Sequence, residues 1–222
     1  GRITDSINYI YLLIIDQLLP MGNIYLQLPD SIADLSDCVL ATITVASGST
    51  PGKPGSSALF NRSGLLSGTV GGGILEARVQ EMALGALDSR APLYGIFTLD
   101  STSAGGEDAL CGGNAEILID PDLARNKSVF DSLKRSLKEK KAGILVTVVR
   151  SGNSRILQAE RYWFVPGADN KMPPEILESI SPVAEEMISV PGFRRIKIPG
   201  GSVSTLSEVL AESVVPMQKL II

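Results

Sequence analysis

Three glycine-rich segments hold most of the residues in this chain that could do chemistry. They are Gly48-Ser49-Thr50-Pro51-Gly52-Lys53-Pro54-Gly55-Ser56, the turn Thr69 to Glu76 with its run Gly71-Gly72-Gly73, and Cys111-Gly112-Gly113. Glycine lets a backbone approach a ligand closely and turn successive N–H groups into one space, which is how loops cradle phosphates and other anions. Gly71 to Gly73 open a predicted helix, so the unpaired N–H groups and dipole of its first turn would add to such a cradle. Ser49, Thr50, Ser56 and Thr69 supply hydroxyl donors, and Lys53 supplies a full charge. For any single glycine, turn geometry comes ahead of ligand contact, and Gly73 with Glu76 also reads as a helix start with a back-reaching carboxylate.

Cys111 is the sharper signal, because a thiol followed by two glycines is unlike an inert core cysteine. Neighbouring N–H groups favour its thiolate, which is both a nucleophile and a soft metal ligand. The chain contains no histidine. That excludes Ser-His-Asp and Cys-His pairs, His-liganded metal sites and a histidine proton shuttle. A nucleophilic Cys111 would need Glu76, Asp108 or Lys53 as its proton partner, which shifts weight from hydrolysis towards ligand binding. Cys38, at the edge of an apolar strand, reads as a small core residue.

The elements that must position these residues follow from the hydropathy pattern. Val39 to Val45 is β-branched and continuously apolar, the pattern of a buried strand. Ala58 to Asn61 and Leu65 to Val70 form a predicted hairpin around Asn61-Arg62-Ser63-Gly64. Leu75, Val79, Met82, Ala83 and Ala86 keep the spacing of one buried helix face. Further strands are predicted at Leu93 to Leu99, Ala115 to Ile119, Ile144 to Val149, Arg155 to Gln158 and Tyr162 to Val165. Helices are predicted from Ser128 to Lys141 and from Pro173-Pro174 to about Ile188. Leu40, Thr42, Ser47 and Gly48 line up with Leu145, Thr147, Ser151 and Gly152, one short match and too little by itself for a repeat.

At 222 residues the chain suits one large domain or two small ones, and its net charge of −4 argues against a nucleic-acid surface. Lys134, Arg135, Lys138, Lys140 and Lys141 read as the solvated face of an amphipathic helix. The apolar stretch from Tyr9 to Leu19 is too short to span a membrane and is broken by Asp16 and Gln17. Residues 1–20 read as a leader or extension, or equally as a short docking helix. Two distant cysteines fit a reducing cytoplasm rather than a disulfide scaffold. The fold class expected is α/β, a mixed sheet with helices packed on it, with a boundary near residues 121–126 that is either a sub-domain junction or a loop.

Together the three glycine segments resemble the xanthine dehydrogenase accessory factor (XdhC/CoxI) family, proteins of molybdenum-cofactor maturation. That pattern is an apolar strand, Gly-Ser-x-Pro-Arg-x-x-Gly, Gly-x-x-Gly-Gly-x-x-Glu, and Cys-Gly-Gly before a strand. Its counterparts are Leu40 to Val45, Gly48 to Gly55, Gly68 to Glu76, and Cys111-Gly112-Gly113 followed by Ala115 to Ile119. Gly52 stands where the family usually has Arg, and Lys53 is the nearest cation. An ammonium lacks the two-pronged donor set of a guanidinium.

The resemblance implies an XdhC/CoxI-like domain over residues 21–215, with residues 216–222 as the start of a truncated Rossmann-like domain. It implies a non-catalytic accessory protein that binds molybdenum cofactor (molybdopterin) as cargo and delivers it to a xanthine dehydrogenase-like apoenzyme. A cofactor sulfurase and a second copy of the chain are further partners compatible with it; no membrane partner is expected, given the short, interrupted stretch from Tyr9 to Leu19. Cys111 would hold the metal or its sulfur. Gly71, Gly72 and Gly73 with Ser49, Lys53, Gly55, Thr69, Gly112 and Gly113 would hold phosphate or pterin, and Glu76 would orient the group. The alternatives are a Cys-dependent sulfur- or group-transfer enzyme and a plain interaction domain.

Overall fold

A computed structural model describes residues 23–99, 112–152, 155–197 and 206–216. Its strands divide into two sheets. The first is formed by β1 (Val39–Gly48), β2 (Ser57–Asn61), β3 (Gly64–Gly68), β4 (Leu93–Leu99) and β5 (Gly113–Asp120), in the order β3-β2-β1-β5-β4. The second is formed by β6 (Gly143–Gly152), β7 (Arg155–Phe164), β8 (Phe193–Lys197) and β9 (Leu206–Val214), in the order β7-β6-β9-β8. Among the described residues every strand pair is antiparallel, so the α/β layering expected from the sequence is built on two antiparallel sheets.

A short helix α1 (Ile32–Ser36), capped by the Ser31 hydroxyl accepting from the Asp34 N–H, leads into β1. Helix α2 (Gly73–Ser89) packs Leu75, Val79, Ala83 and Leu87 against Val39, Ala41, Ile43, Phe60, Ile117 and Ile119 of the first sheet. Helix α4 (Pro174–Ser189) packs Ile176, Ile180, Ala184 and Met187 against Ile144, Val146, Val148, Val209 and Ala211 of the second. The inner faces meet through Leu118, Val149 and Leu210. The layers therefore run helix, sheet, sheet, helix. Both faces of β1 and β6 are covered, which is why those strands read as unbroken apolar runs rather than as alternating ones.

The short sequence echo coincides with a structural repeat. Disregarding β3, each half runs hairpin, helix, strand, strand, and the two sheets have equivalent orders, β2-β1-β5-β4 and β7-β6-β9-β8. The rungs match as well. Leu40 faces Asp120 and Thr42 faces Leu118 in one half, while Leu145 faces Glu212 and Thr147 faces Leu210 in the other.

Helix α3 (Lys127–Lys138) follows a 3-10 turn at Ala124–Asn126 and buries Phe130, Leu133 and Leu137 with Tyr25, Leu28 and Leu35. Here the structure corrects the reading of a uniformly solvated basic face. Lys134 is buried, its ammonium donating to the Leu28 carbonyl and the Asp30 carboxylate, each at 2.6 Å. The N-terminal segment folds back over α3, and its carbonyl and carboxylate give a buried ammonium the partners it requires.

Strands β8 and β9 escape the hydropathy pattern, and the two predicted strands between Arg155 and Val165 are one. In each case a charged residue facing the inner layer breaks the apolar run: Arg161 in β7, Arg195 in β8, and Glu208 and Glu212 in β9. The expectations for residues 1–20 and 217–222 lie outside the described residues.

Candidate functional site

Close packing that only glycine permits brings the predicted site segments together. Gly48, the last residue of β1, faces Gly113, the first of β5. A Cβ on Gly113 would lie 2.6 Å from the carbonyl oxygens of both Ser47 and Ser49, and one on Gly48 would lie 2.6 Å from that of Gly112. The loop then turns to its other neighbour. A Cβ on Gly71 would lie 2.7 Å from Pro51 Cγ, and one on Gly52 would lie 2.8 Å from the Val70 carbonyl oxygen. Residues 48–52 thus touch the start of β5 on one side and the turn before α2 on the other.

The departure at Gly52 has a local cause. Gly52 is buried, with Ile43 Cδ1 and the Val70 carbonyl occupying the space of any side chain. An arginine there would force the loop to move. Lys53, one residue on, is exposed, and its backbone closes a tight turn with Ser56: the Ser56 N–H donates to the Lys53 carbonyl and the Lys53 N–H to Ser56 Oγ.

At the start of α2 the backbone adopts φ values of 123, 72 and 56° at Gly71, Gly72 and Gly73. Three successive residues in this region are feasible only for glycine. The Gly72 N-cap offers no side-chain hydrogen bond, so the orphan donors of the first turn are left to other partners. Beyond the chain neighbours and the helix's own backbone, no atom of the described residues lies within 4 Å of a Cβ at Gly72, Gly73 or Gly112, so the space beside each is open among the described residues.

Glu76 and Thr69 brace the turn from beneath. Thr69 Oγ1 donates to Glu76 Oε2 at 2.7 Å, the Val70 N–H donates to the same oxygen at 3.3 Å, and the Gly71 N–H donates to Thr69 Oγ1 at 3.0 Å. Both side chains thereby set the path of the glycine run. Their place in the sequence reading, a donor and an orienting carboxylate, becomes in the structure the positioning of backbone donors.

Of the remaining predicted residues, Ser49 is exposed at the cradle. Gly55 turns away from it: with φ 90°, it packs over Phe193 of β8, and a Cβ added to Gly55 would lie 3.1 Å from Phe193 Cβ. Gly112 is exposed and Gly113 buried. Cys111 and Asp108 lie outside the described residues. Among the described residues no cluster of three or more acidic or thiol side chains could hold a metal ion, and no helix is long and apolar enough to cross a membrane.

Sequence reasoning missed the polar side chains between the sheets: Tyr25, Asp120, Arg161 and Glu212 at one end, and Tyr94, Glu116, Arg195 and Glu208 at the other. Their signal was present as acidic residues within otherwise apolar strands.

The fold and site define a two-repeat, helix-flanked double-sheet protein with a glycine cradle at a helix N-terminus. Residues 32–99 match the model of the XdhC and CoxI family, meeting the resemblance read from the sequence over the segment that holds the first two glycine motifs. A solved structure described as a xanthine dehydrogenase from Bacillus halodurans shares this fold, with a TM-score of 0.58 and 17% sequence identity. The match covers 87% of this chain and 53% of that one, so the chain spans about half the length of this structural relative. No curated protein matches the chain.

Proposed function

We propose that this chain is an accessory protein of molybdenum-hydroxylase maturation, which binds molybdenum cofactor as cargo and delivers it to a xanthine dehydrogenase-like apoenzyme. The observation that carries this reading is the convergence of loop 48–52, Gly71 to Gly73 and Gly112-Gly113, with open space at Gly72, Gly73 and Gly112. The family match over residues 32–99 supports it.

The residues present suit such a cargo. Molybdopterin carries a phosphate and polar pterin edges, and the first-turn N–H groups of α2 favour an anion by both hydrogen bonding and dipole. Ser49 adds a hydroxyl donor and Lys53 a mobile charge. The Cys111 thiolate, adjoining Gly112, would ligate the metal or its sulfur. Glu76 and Thr69 hold the cradle in shape. Nothing in this set requires bond making, so the role is retention and transfer, in a reducing cytoplasm where the thiol persists.

The test is anaerobic titration of the full chain with molybdenum cofactor, following bound molybdenum and pterin together, with Cys111→Ala alongside. Coincident, saturable uptake that weakens in the variant supports the proposal. Absence of uptake by a folded chain overturns it.

A further inference from the structure

The seam between the two sheets contains two clusters of the same make-up, each built on a repeat-equivalent pair of carboxylates. In one, Arg195 Nη1 donates to Glu116 Oε1 at 2.8 Å, Arg195 Nη2 pairs with Glu208 Oε2 at 2.5 Å, and the Tyr94 hydroxyl donates to Glu208 Oε1 at 2.8 Å. In the other, Arg161 Nη1 donates to Asp120 Oδ2 and the Tyr25 hydroxyl donates to Glu212 Oε2 at 2.5 Å. Each holds two carboxylates, one guanidinium and one phenol. Glu116 and Asp120 occupy in β5 the places that Glu208 and Glu212 occupy in β9.

They differ in access to water. The side chains of Arg195 and Glu116 are 34% and 26% exposed, so solvent screens the surplus negative charge there. Those of Arg161 and Asp120 are 2% and 0% exposed. With the guanidinium committed to Asp120, Glu212 has no cation of its own among the described residues. The strands beside it bring Leu145 and Phe193 into register opposite, and the charged or titratable groups acting on it are Tyr25 from the N-terminal turn and Arg161 from β7, the latter paired with Asp120 of β5. Tyr25, Thr42, Thr147, Arg161 and Glu212 also line a small cavity of about 10 Å³. That is the room one water molecule needs. Arg161, one of the lining residues, has a buried Nε with no acceptor among the described residues.

We propose that this dry cluster is a proton-linked latch between the two repeats: Glu212 carries the one proton that neutralises the closed seam, and a single buried water accepts from Arg161 Nε. Tyr25 straps the N-terminal turn to β9 through this group. Loss of the proton places an uncompensated charge at the seam and loosens the strap.

Burial pushes the Glu212 carboxyl up to about 7, outweighing the opposing effects of the Tyr25 hydrogen bond and the Arg161 charge. The folded chain therefore binds more protons than the unfolded chain between the ordinary carboxylate range and pH 7. Stability from this group is full below that window and declines as pH rises through it, levelling off above about 7.

Urea unfolding from pH 5 to 8, read by the single tryptophan, Trp163, tests the latch in the full chain with Glu212→Gln and Glu208→Gln. The parent and Glu208→Gln should lose up to about tenfold in folding equilibrium constant per pH unit across the window, and Glu212→Gln should lack that component. Carboxyl carbon NMR titration of the parent, which requires no variant to fold, should place Glu212 near 7. Parallel pH profiles for the parent and Glu212→Gln, or titration of Glu212 in the ordinary carboxylate range, would overturn the proposal.

Discussion

Gly48 and Gly113 face each other on the last rung of the β1–β5 ladder, and neither has room for a side chain. Gly113→Ala would drive a methyl between the carbonyl oxygens of Ser47 and Ser49. It should cost about 2 kcal/mol or more, as overpacking against backbone does. Gly112→Ala, where the methyl enters open space, should stay within about 0.5 kcal/mol of the parent. Urea midpoints check both, and equal losses would contradict the geometry.

Glu76 is a cap for the turn before α2, accepting from Thr69 and Val70. Glu76→Ala should lower stability by about 1 kcal/mol, the usual scale for losing a helix N-terminal acceptor. Glu76→Gln, which keeps an acceptor oxygen, should lose less. Thermal unfolding distinguishes them, and equal losses would remove the hydrogen-bonding explanation.

The Arg161–Asp120 pair is sealed inside the seam. Arg161→Met should cost roughly 3–5 kcal/mol, because it strands a buried carboxylate. Adding Asp120→Asn should recover part of that loss. A double-mutant cycle measured by urea unfolding reads the coupling, and simple additivity would show that the two side chains do not depend on each other.

Lys134 ties the N-terminal segment to α3, while its partner Asp30 is itself largely exposed. Lys134→Met should therefore release the Leu28 carbonyl and cost about 1–2 kcal/mol, since the freed carboxylate returns to water. The Lys134 hydrogen bond and charge also hold the Asp30 carboxyl below its ordinary value. In the variant that value should return to the ordinary range by NMR titration; an unchanged value would contradict the contact.

Much of this was legible in the residues. The β-branched run at Val39 to Val45 and the helix spacing of Leu75, Val79 and Ala83 are driven by burial alone, and burial is what hydropathy records. Glycines 48, 71 and 113 were legible as chemically unusual. Their convergence was not, because close approach between segments some 20 to 65 positions apart depends on sheet order. The strands that hydropathy misses, β8 and β9, carry Arg195, Glu208 and Glu212 on an inner face. A charge normally marks the solvent side of a strand; here Glu116 and Tyr94 of the other sheet, and Tyr25 of the N-terminal turn, supply the partners that make its burial tolerable. The four-residue echo between β1 and β6 was too short to interpret until the matching rungs Leu40–Asp120 and Leu145–Glu212 gave it a structural counterpart.

The central claim is that the open face of the glycine cradle holds an anionic cargo. Gly112→Val tests it most directly, because a Cβ there meets no atom within 4 Å among the described residues beyond its chain neighbours, so the added side chain enters the space assigned to the ligand. The measurement is the anaerobic dissociation constant for molybdenum cofactor, parent against Gly112→Val, with unfolding midpoints in parallel. The account predicts an unchanged midpoint and binding weakened at least about tenfold, the scale of losing one good contact region. Equal affinity in the two proteins would contradict it.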